Sequence, residues 1–589
     1  MKNIKISLLI LTLFISWGCQ KDLMDTSPYD AIATGNMWLT ENLADNGVNA
    51  IYHTLRSSNV GLGLYTIDRF GLSTDGKSAH ALMANTIQTN NSLFSGYWQQ
   101  HYEGIHRAND AIVNIPEKTP ASEAKKGRLV AEAKFLRAYF YYKLNIMFKG
   151  VPLYLEPVGL QEMDRGCETE EKIWEVVLSD LSDCINEANL PTHYEKGDAN
   201  VGRATKAAAY ALRGKCYLWM KEWNKAEQDF KEVGKYHSLF QGEYKKLFKE
   251  ENEQCPEMIF SVQCIGIDGL GNDMSFRLGS RIVYEQGWNT YLVSTDFVET
   301  YEFADGRKFN WDDVIPGYNV APDDPDYTKK TRARSVYFLR DNMTDDEINA
   351  MKVYGADMSK YLPEGNEARI KKAYENRDPR LAATIITPYS EVLGSSNSVD
   401  YTYTLRWPYR GFDTAEPFDV RTDTNTKYYY LYRKFVAEGS NEIPNRSYSP
   451  IDFPLIRYAD IVLNLAEALN EQNKMDEAIT YVNMIRNRAG VAPLNSNDYT
   501  RVTDQADLRK RIQNERRWEL NAEGVTFFDE MRWRTWEETK FFPRSGLKQI
   551  WGANEWEYTW SGDRVYQWPI PRAEREMNSN LRSTPGWSD

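Results

Sequence analysis

The sequence predicts an all-α fold in which tetratricopeptide-like helical hairpins carry long, irregular, loop-rich insertions. Apolar residues recur at helical spacing in the N-terminal part and again in the C-terminal third. Two separate segments share the small, small, bulky spacing of a closely packed helix pair. Between them, residues 265–455 are rich in Gly, Pro, Asn and Asp and contain only short β-like runs such as "TIIT" and "KYYYLYRKF".

The N-terminal part contains strongly amphipathic stretches. In "RLVAEAKFLRAYFYYKL", Leu129, Ala133, Leu136 and Phe140 recur three or four residues apart, which places them on one buried helix face. The stretch "TKAAAYALRGKCYLWMKEWNKAEQDF" has two apolar stripes with a bend near Lys221. It therefore predicts two helices that fold back on each other.

The same helix pair occurs twice, at about 206–236 and 458–490. The matching positions are Gly214, Ala226 and Phe230 in the first copy and Ala466, Ala478 and Val482 in the second. Small residues at these positions let two helices approach closely while the bulky residue fills the space between them. Because a stable stack usually needs at least three repeats, the helices around 96–115 and 123–148 are predicted to supply the others.

Two local patterns predict further helices. The capping box "TDDE", from Thr344 to Glu347, predicts a short helix inside the loop-rich region. The stretch "DLRKRIQNERRWELNAEG" predicts a helix in the C-terminal third. Its pairs Arg511 with Glu515 and Arg516 with Glu519 have the spacing of ion pairs that stabilise an exposed helix face.

Composition limits the classes of partner and fold. A formal net charge of -13 and a pI near 5.3 argue against nucleic acid or another polyanion as ligand. The basic run Lys329–Arg334 is interpreted as a solvated loop or helix face. The five cysteines other than Cys19 are an odd number that cannot all pair within the chain, and they lack the close, even spacing of a disulfide framework, so they are expected to be mostly buried thiols.

The N-terminus reads as an export signal, assigned to residues 1–18. A basic start is followed by the apolar run Ile6–Ile15, which at ~10 residues is too short to span a bilayer. The next residues, "SWGC", resemble the bacterial lipoprotein box, which implies that Cys19 is acylated and holds the chain on the outer membrane. The polar "QKDLMD" resembles the tag that sends Bacteroidetes lipoproteins to the outer cell face. An ordinary signal peptide with an incidental cysteine is the alternative.

Motifs along most of the mature chain are together similar to the SusD/RagB family of surface lipoproteins. They include "YWQQHYEGIHRANDAI", "RATKAAAYALRGKCYLWM", "PLIRYADIVLNLAEALNE", "RIQNERRWELNAEGVTFFDEMRW" and "WPIPRAEREMNSN". The resemblance implies a helical side that docks on a TonB-dependent, SusC-like transporter and a loop-rich side that binds nutrient glycans or, in some members, peptides. It divides the mature chain into an N-terminal helical region, 19–240, and a C-terminal region, 241–589, with the ligand-binding loops.

The resemblance also brings forward candidate ligand-binding residues by their order along the chain. They are Asp75, Lys77, Asn85, Trp288, Tyr291, Trp407 and Arg410. Asp75 and Asn85 would hydrogen-bond sugar hydroxyls, and Trp288 would stack under a sugar ring. Each also has a simpler interpretation, a loop cap or solvated group for the polar residues and a core position for the aromatic ones.

The expected activity is binding without catalysis. The chain lacks GxSxG, HExxH and CxxC motifs, and with 84 acidic residues no carboxylate pair can be singled out as that of a glycoside hydrolase. A hydrolase and a scaffold that grips only a partner protein are the other hypotheses. No cofactor is expected; a structural calcium ion in acidic loops such as "PDDPD" is the alternative, although that run lacks the spacing of an EF-hand loop.

Overall fold

The computed structural model describes residues 37–159, 162–284, 286–412 and 415–588. Its helices are α1 (Glu41–Thr54), α2 (Ser92–Lys118), α3 (Glu123–Phe148), α4 (Glu170–Asn186), α5 (Lys206–Trp219), α6 (Trp223–Val233), α7 (Met274–Leu278), α8 (Thr295–Thr300), α9 (Trp311–Val314), α10 (Tyr327–Ala333), α11 (Asp345–Tyr354), α12 (Asn366–Lys371), α13 (Pro379–Thr384), α14 (Tyr458–Glu471), α15 (Met475–Ala489), α16 (Gln505–Leu520), α17 (Thr526–Trp533), α18 (Trp536–Lys540) and α19 (Arg572–Met577). Short 3₁₀ helices span Leu64–Phe70, Tyr244–Phe248, Glu250–Asn252, Arg334–Phe338, Met358–Lys360 and Asp563–Tyr566. The signal peptide and Cys19 lie outside the described residues.

The strands are short and form small sheets. They are β1 (Thr74–Gly76), β2 (Met258–Val262), β3 (Tyr291–Val293), β4 (Ile385–Ile386), β5 (Glu391–Ser396), β6 (Val399–Thr404), β7 (Phe418–Asp419), β8 (Leu431–Tyr432), β9 (Phe453–Arg457), β10 (Gly546–Lys548) and β11 (Asn554–Glu557). β1 pairs with β3, β2 with β9, β4 with β8 and β10 with β11, all antiparallel, while β6 pairs with both β5 and β7. Helices therefore dominate the described fold, as predicted.

Both predicted helical hairpins are confirmed. The first is α5 with α6, separated at Lys221, whose φ of 59° cannot continue a right-handed helix. The second is α14 with α15. A methyl group added at Gly214 would lie 2.4 Å from the ring of Phe230, so the glycine is what permits this close approach. The long helices α2, α3 and α4 pack beside them and extend the array.

Side chains mark where the helices begin. Asn91 caps α2 by accepting a hydrogen bond from the backbone N–H of Leu93 at 2.9 Å. The predicted capping box is present at the start of α11, because Thr344 and Glu347 each accept from the other's backbone N–H. The capping box in the loop-rich region therefore begins a helix, as its sequence predicts.

The predicted exposed face of α16 is wrong. Arg516 and Glu519 are 2% and 0% exposed, and neither pairs with the other. Arg516 binds Asp460 and Asp529, and Glu519 meets Arg457 and Arg380. The fold packs α14 and α13 against this helix, so charged residues that look solvated in the sequence form a buried ion-pair cluster. Arg511 pairs with Asp507 instead of Glu515.

The five cysteines of the described part of the chain are free thiols. Cys184, Cys216, Cys255 and Cys264 are buried, in agreement with the sequence, whereas Cys167 is exposed. Within the described part of the chain, no helix combines the length and apolar character needed to cross a bilayer.

Candidate ligand-binding site

The β1–β3 pair brings three of the predicted site residues together. Gly76 lies opposite Tyr291 in the strand register, and the backbone N–H of Lys77 donates to Thr290 O at 3.0 Å. The Lys77 ammonium then donates to the backbone carbonyl of Trp288 at 2.9 Å. Lys77, Trp288 and Tyr291, which are distant in sequence, therefore share one surface region.

Trp288 offers an open aromatic surface there. Its side chain is 41% exposed, and its ring packs on Phe276 with centroids 4.8 Å apart. The guanidinium of Arg446 lies over Phe276, 4.7 Å from the ring centroid. This packing holds the indole in place, so a flat apolar group can stack on it without ordering a mobile side chain.

A cleft of about 250 Å³ lies next to Trp288 and is called here the arginine cleft. Its lining residues are Arg281, Ile282, Tyr284, Gln286, Ser395, Ser396, Asn397, Ser398, Tyr403, Phe412 and Arg421. The backbone carbonyl of Gln286 accepts a hydrogen bond from Arg446 at 3.4 Å, which links the cleft to the Trp288 surface. The two features form one candidate site.

The β5–β6 hairpin builds one wall of the cleft. Asn397 and Ser398 have φ values of 51° and 62°, so the two-residue connection has the positive φ values of a type I′ turn. Such a turn matches the twist of the flanking strands and projects its polar side chains at the edge of the cleft. Next to it, the ring of Phe412 packs on Phe418 at 4.3 Å and is still 52% exposed.

The carboxylate of Asp423 binds two cationic side chains beside the cleft. Asp423 accepts from Arg281 Nε at 3.0 Å and also forms an ion pair with Lys77. The hydrogen bond from Lys77 lowers the pKa of Asp423. The backbone N–H of Arg281 donates to the carbonyl of Arg421 at 2.9 Å, which brings the two arginines side by side. The exposed Arg421 guanidinium has no hydrogen bond or ion pair with any described residue.

The other predicted residues lie elsewhere. Asp75 is 1% exposed, and its carboxylate accepts from Lys540 at 2.8 Å and from Tyr558. It is the counter-charge of a buried lysine, so a contact with a sugar hydroxyl would require that ion pair to open. Asn85 is exposed, and its side-chain oxygen accepts from Arg564 at 3.4 Å.

Trp407 and Arg410 hold in place the segment that leads to Phe412. Trp407 is 9% exposed and packs against Tyr428 and Trp551, with centroids 5.7 and 5.8 Å apart. Arg410 Nε donates to Glu347 at 2.7 Å, so it ties this segment to the start of α11. No hydrogen bond or ring contact among the described residues joins Trp407 or Arg410 to Trp288.

Sequence reasoning missed the residues that line the arginine cleft. Phe412 follows a glycine in "YRGFDT", which is a signal for an exposed aromatic on a turn. Arg281 and Arg421 carry no comparable signal, because 140 residues separate them and only the folded backbone brings them together.

Three larger hollows do not adjoin the predicted residues Trp288 and Tyr291. A groove of about 590 Å³ between α2 and α19 has both apolar and polar lining residues, among them Trp98, Tyr102 and Glu103. A second hollow, of about 730 Å³, lies beside α10, and a third, of about 390 Å³, is lined mainly by Lys and Glu side chains. The arginine cleft, by contrast, lies next to Trp288.

The described lining of the arginine cleft consists of aromatic and apolar side chains, hydroxyls, amides and guanidinium groups. Its described lining residues include no Asp or Glu, so they supply no pair of carboxylates for acid–base hydrolysis of a glycosidic bond. The described residues also contain no cluster of three or more His, Cys, Asp or Glu side chains that could hold a metal ion. What remains is a set of rings, hydroxyls and guanidinium groups arranged around an open space.

The helical array with its loop-rich insertions agrees with the fold of the family that the sequence matches. Residues 256–587 match the model of the SusD family, and residues 23–218 match a model described as starch-binding associating with outer membrane. The chain belongs to the SusD family.

Individual relatives are distant but cover nearly the whole chain. SusD-like protein P25 of Formosa agariphila is 24% identical over 550 residues, which are 90% of each chain. A SusD-like carbohydrate-binding protein of Bacteroides fragilis superposes with a TM-score of 0.70 at 22% identity, covering 93% of this chain and all of the other. A laminarin-binding SusD-like protein superposes with a TM-score of 0.60 at 20% identity, covering 93% of this chain and all of the other.

Proposed function

We propose that this protein is a cell-surface receptor that captures an oligosaccharide or polysaccharide at the arginine cleft and the adjoining Trp288 surface. The observation that carries the proposal is the rigidly packed but exposed Trp288 beside a cleft lined by hydroxyl and guanidinium groups. A pyranose ring has an apolar C–H face that suits stacking and a rim of hydroxyls that suits hydrogen bonding. The carbohydrate-binding and laminarin-binding relatives support the same class of ligand.

The proposed mechanism is capture followed by handover. Acylation at Cys19 would hold the protein on the outer membrane, facing outward, because several buried acyl chains bind a bilayer stably. The helical side would dock on a SusC-like TonB-dependent transporter. Because the tether makes each docking event intramolecular, the effective concentration is high, and a modest glycan affinity permits release. No chemistry is performed on the glycan.

Calorimetric titration against neutral and charged plant, microbial and host polysaccharides tests the proposal. The protein would begin at Gln20, which leaves the described fold complete, and each sample would also be assayed for new reducing ends. Saturable binding without product is the expected result. Product release would make the protein a glycoside hydrolase. Binding of peptides but of no glycan would make it a peptide receptor.

A further inference from the structure

The arginine cleft differs in charge from the rest of the molecule. The chain carries a formal net charge of -13, yet the described lining of the cleft holds two arginines and no acidic residue. Lys77 and Arg281 share the single carboxylate of Asp423. With Arg421 these groups make a local excess of positive charge on an acidic protein.

Arg421 is the least compensated of these cations. Its backbone is fixed, because its carbonyl accepts from Arg281 and the preceding residue, Val420, donates to Thr404 at 2.9 Å. Its guanidinium is exposed and has no hydrogen-bonding or ionic partner among the described residues. By contrast, Arg410 in the same segment is held by Glu347. Closing the cleft over a neutral ligand would remove water from the Arg421 guanidinium without supplying a counter-charge, which is costly.

The surrounding groups suit a charged sugar. A guanidinium presents parallel N–H donors that match the oxygens of a carboxylate or sulfate, and such charge-assisted bonds are stronger than neutral ones. The exposed ring of Phe412 supplies an apolar surface in the same cleft. Ser395 also lines the cleft, is 6% exposed, and has a hydroxyl without a hydrogen-bond partner among the described residues.

From these placements we infer that the arginine cleft selects anionic glycans, those carrying uronate carboxylates or sulfate esters. Arg421 and Arg281 bind the anionic group, and Phe412 stacks against the ring that bears it. The inference rests on the proposed glycan-binding function and adds the ligand's charge. It also revises the expectation, drawn from the net charge, that the ligand is not a polyanion. The net charge sums over the whole chain, whereas the cleft is a local surface to which β6, β7 and the segment before α8 contribute.

The test compares glycans that differ only in charge. Purified protein would be titrated with polygalacturonate and its fully methyl-esterified form, and with a carrageenan and its desulfated form. The charged member of at least one pair should bind at least about tenfold more tightly than its neutral match. Affinity should fall as NaCl rises from about 50 to about 500 mM. A preference within the first pair identifies uronate as the anion, and one within the second identifies sulfate.

Variants assign the preference to the cleft. Arg421→Ala should lower the affinity for the charged glycan about tenfold, and Arg421→Lys should keep part of it. Arg582→Ala is the matched control, because Arg582 is exposed, follows α19 and does not line the cleft. It should leave binding unchanged, and all three variants should keep the parental melting temperature.

The two proposals fail differently. Equal binding of charged and neutral forms, or an unchanged affinity in Arg421→Ala, would overturn the selection of anionic glycans while leaving a glycan receptor. Absence of binding to all four polysaccharides and to the neutral panel would overturn glycan binding itself, and the inference with it.

Discussion

The buried ion-pair cluster around α16 and the arginine cleft both gather arginines and aromatic rings, but they differ in whether the charges are compensated. Arg457, 1% exposed, is bound by Glu257, Glu519 and Glu523 at 2.6–2.7 Å. Arg421, in the cleft, has no such partner among the described residues. The buried cluster is complete without a ligand, whereas the cleft leaves donors unused. Charges that are paired within the protein stabilise its fold, whereas a charge without a partner is available to bind a ligand.

Breaking the closed cluster should have the largest effect on stability. Glu519→Ala removes one buried acceptor from each of the guanidinium groups of Arg457, Arg380 and Arg488. Removing one partner of a buried pair costs about 3–5 kcal/mol. We expect the free energy of unfolding, measured in urea, to fall by about that amount. Asp498→Ala, which removes an exposed partner of Arg501, is the control and should change it little. A small effect of Glu519→Ala would show that the cluster is not needed for stability.

The pKa of Glu519 agrees with that assignment. Burial by itself would raise the pKa of the Glu519 carboxyl, but the surrounding guanidinium groups hold it well below its usual range. The stability it contributes is therefore present above the pKa of an unfolded glutamate and is lost only as pH falls through the lower folded value. Near neutral pH, other groups must account for any pH dependence.

Asp68 is such a group and provides the second prediction. Its side chain is fully buried and accepts from the backbone N–H of Gly524 at 2.9 Å, and no cationic side chain of the described residues forms an ion pair with it. Burial raises the pKa of Asp68 to about 7 and also raises that of nearby Glu530 to about 7. The stability that the protonated Asp68 carboxyl contributes is therefore greatest below the pKa of an unfolded aspartate and is lost as pH rises toward 7.

The variant Asp68→Asn should flatten that dependence. Between pH 5 and pH 7 the parental protein should lose about 2 kcal/mol more unfolding free energy than the variant. Denaturant titrations at the two pH values measure the difference, and a residual slope from Glu530 should remain. Parallel pH profiles for the two proteins would mean that Asp68 is ionised in the folded state throughout this range.

The third prediction concerns the open site. Trp288→Ala should weaken glycan binding about tenfold or more, because it removes the exposed stacking surface. Helical content, measured by circular dichroism, should not change. Tyr499→Ala is the matched control, since Tyr499 is 54% exposed, lies between α15 and α16 and does not line the arginine cleft. Full affinity in the Trp288 variant would remove this residue from the site.

The two regions also differ in how well the sequence predicts them. Helical hairpins depend on contacts between near neighbours, so the spacing of Gly214, Ala226 and Phe230 was enough to predict α5 and α6. The charged partners of α16 come from other elements, and a sequence window shows only the i,i+4 neighbours. The same limit applies to the arginine cleft, where the register of loops and short strands decides which side chains meet.

The smallest expected effect tests the close packing of the predicted hairpin. A methyl group at Gly214 would lie 2.4 Å from the ring of Phe230, which is 1% exposed. Gly214→Ala should therefore lower unfolding free energy by about 1 kcal/mol, since overpacking outweighs the gain in helix propensity. At Gly127, also within a helix, the added methyl group would meet only the carboxylate end of Glu187, which can move aside.

Gly127→Ala is thus the matched control and should stabilise the protein by up to about 1 kcal/mol through helix propensity alone. Equal stabilisation by both substitutions would mean that the α5–α6 pair has room to spare. Opposite signs would show that the α5–α6 pair has no space for an added methyl group. The helical region would then be closely packed, whereas the loops leave the arginine cleft open.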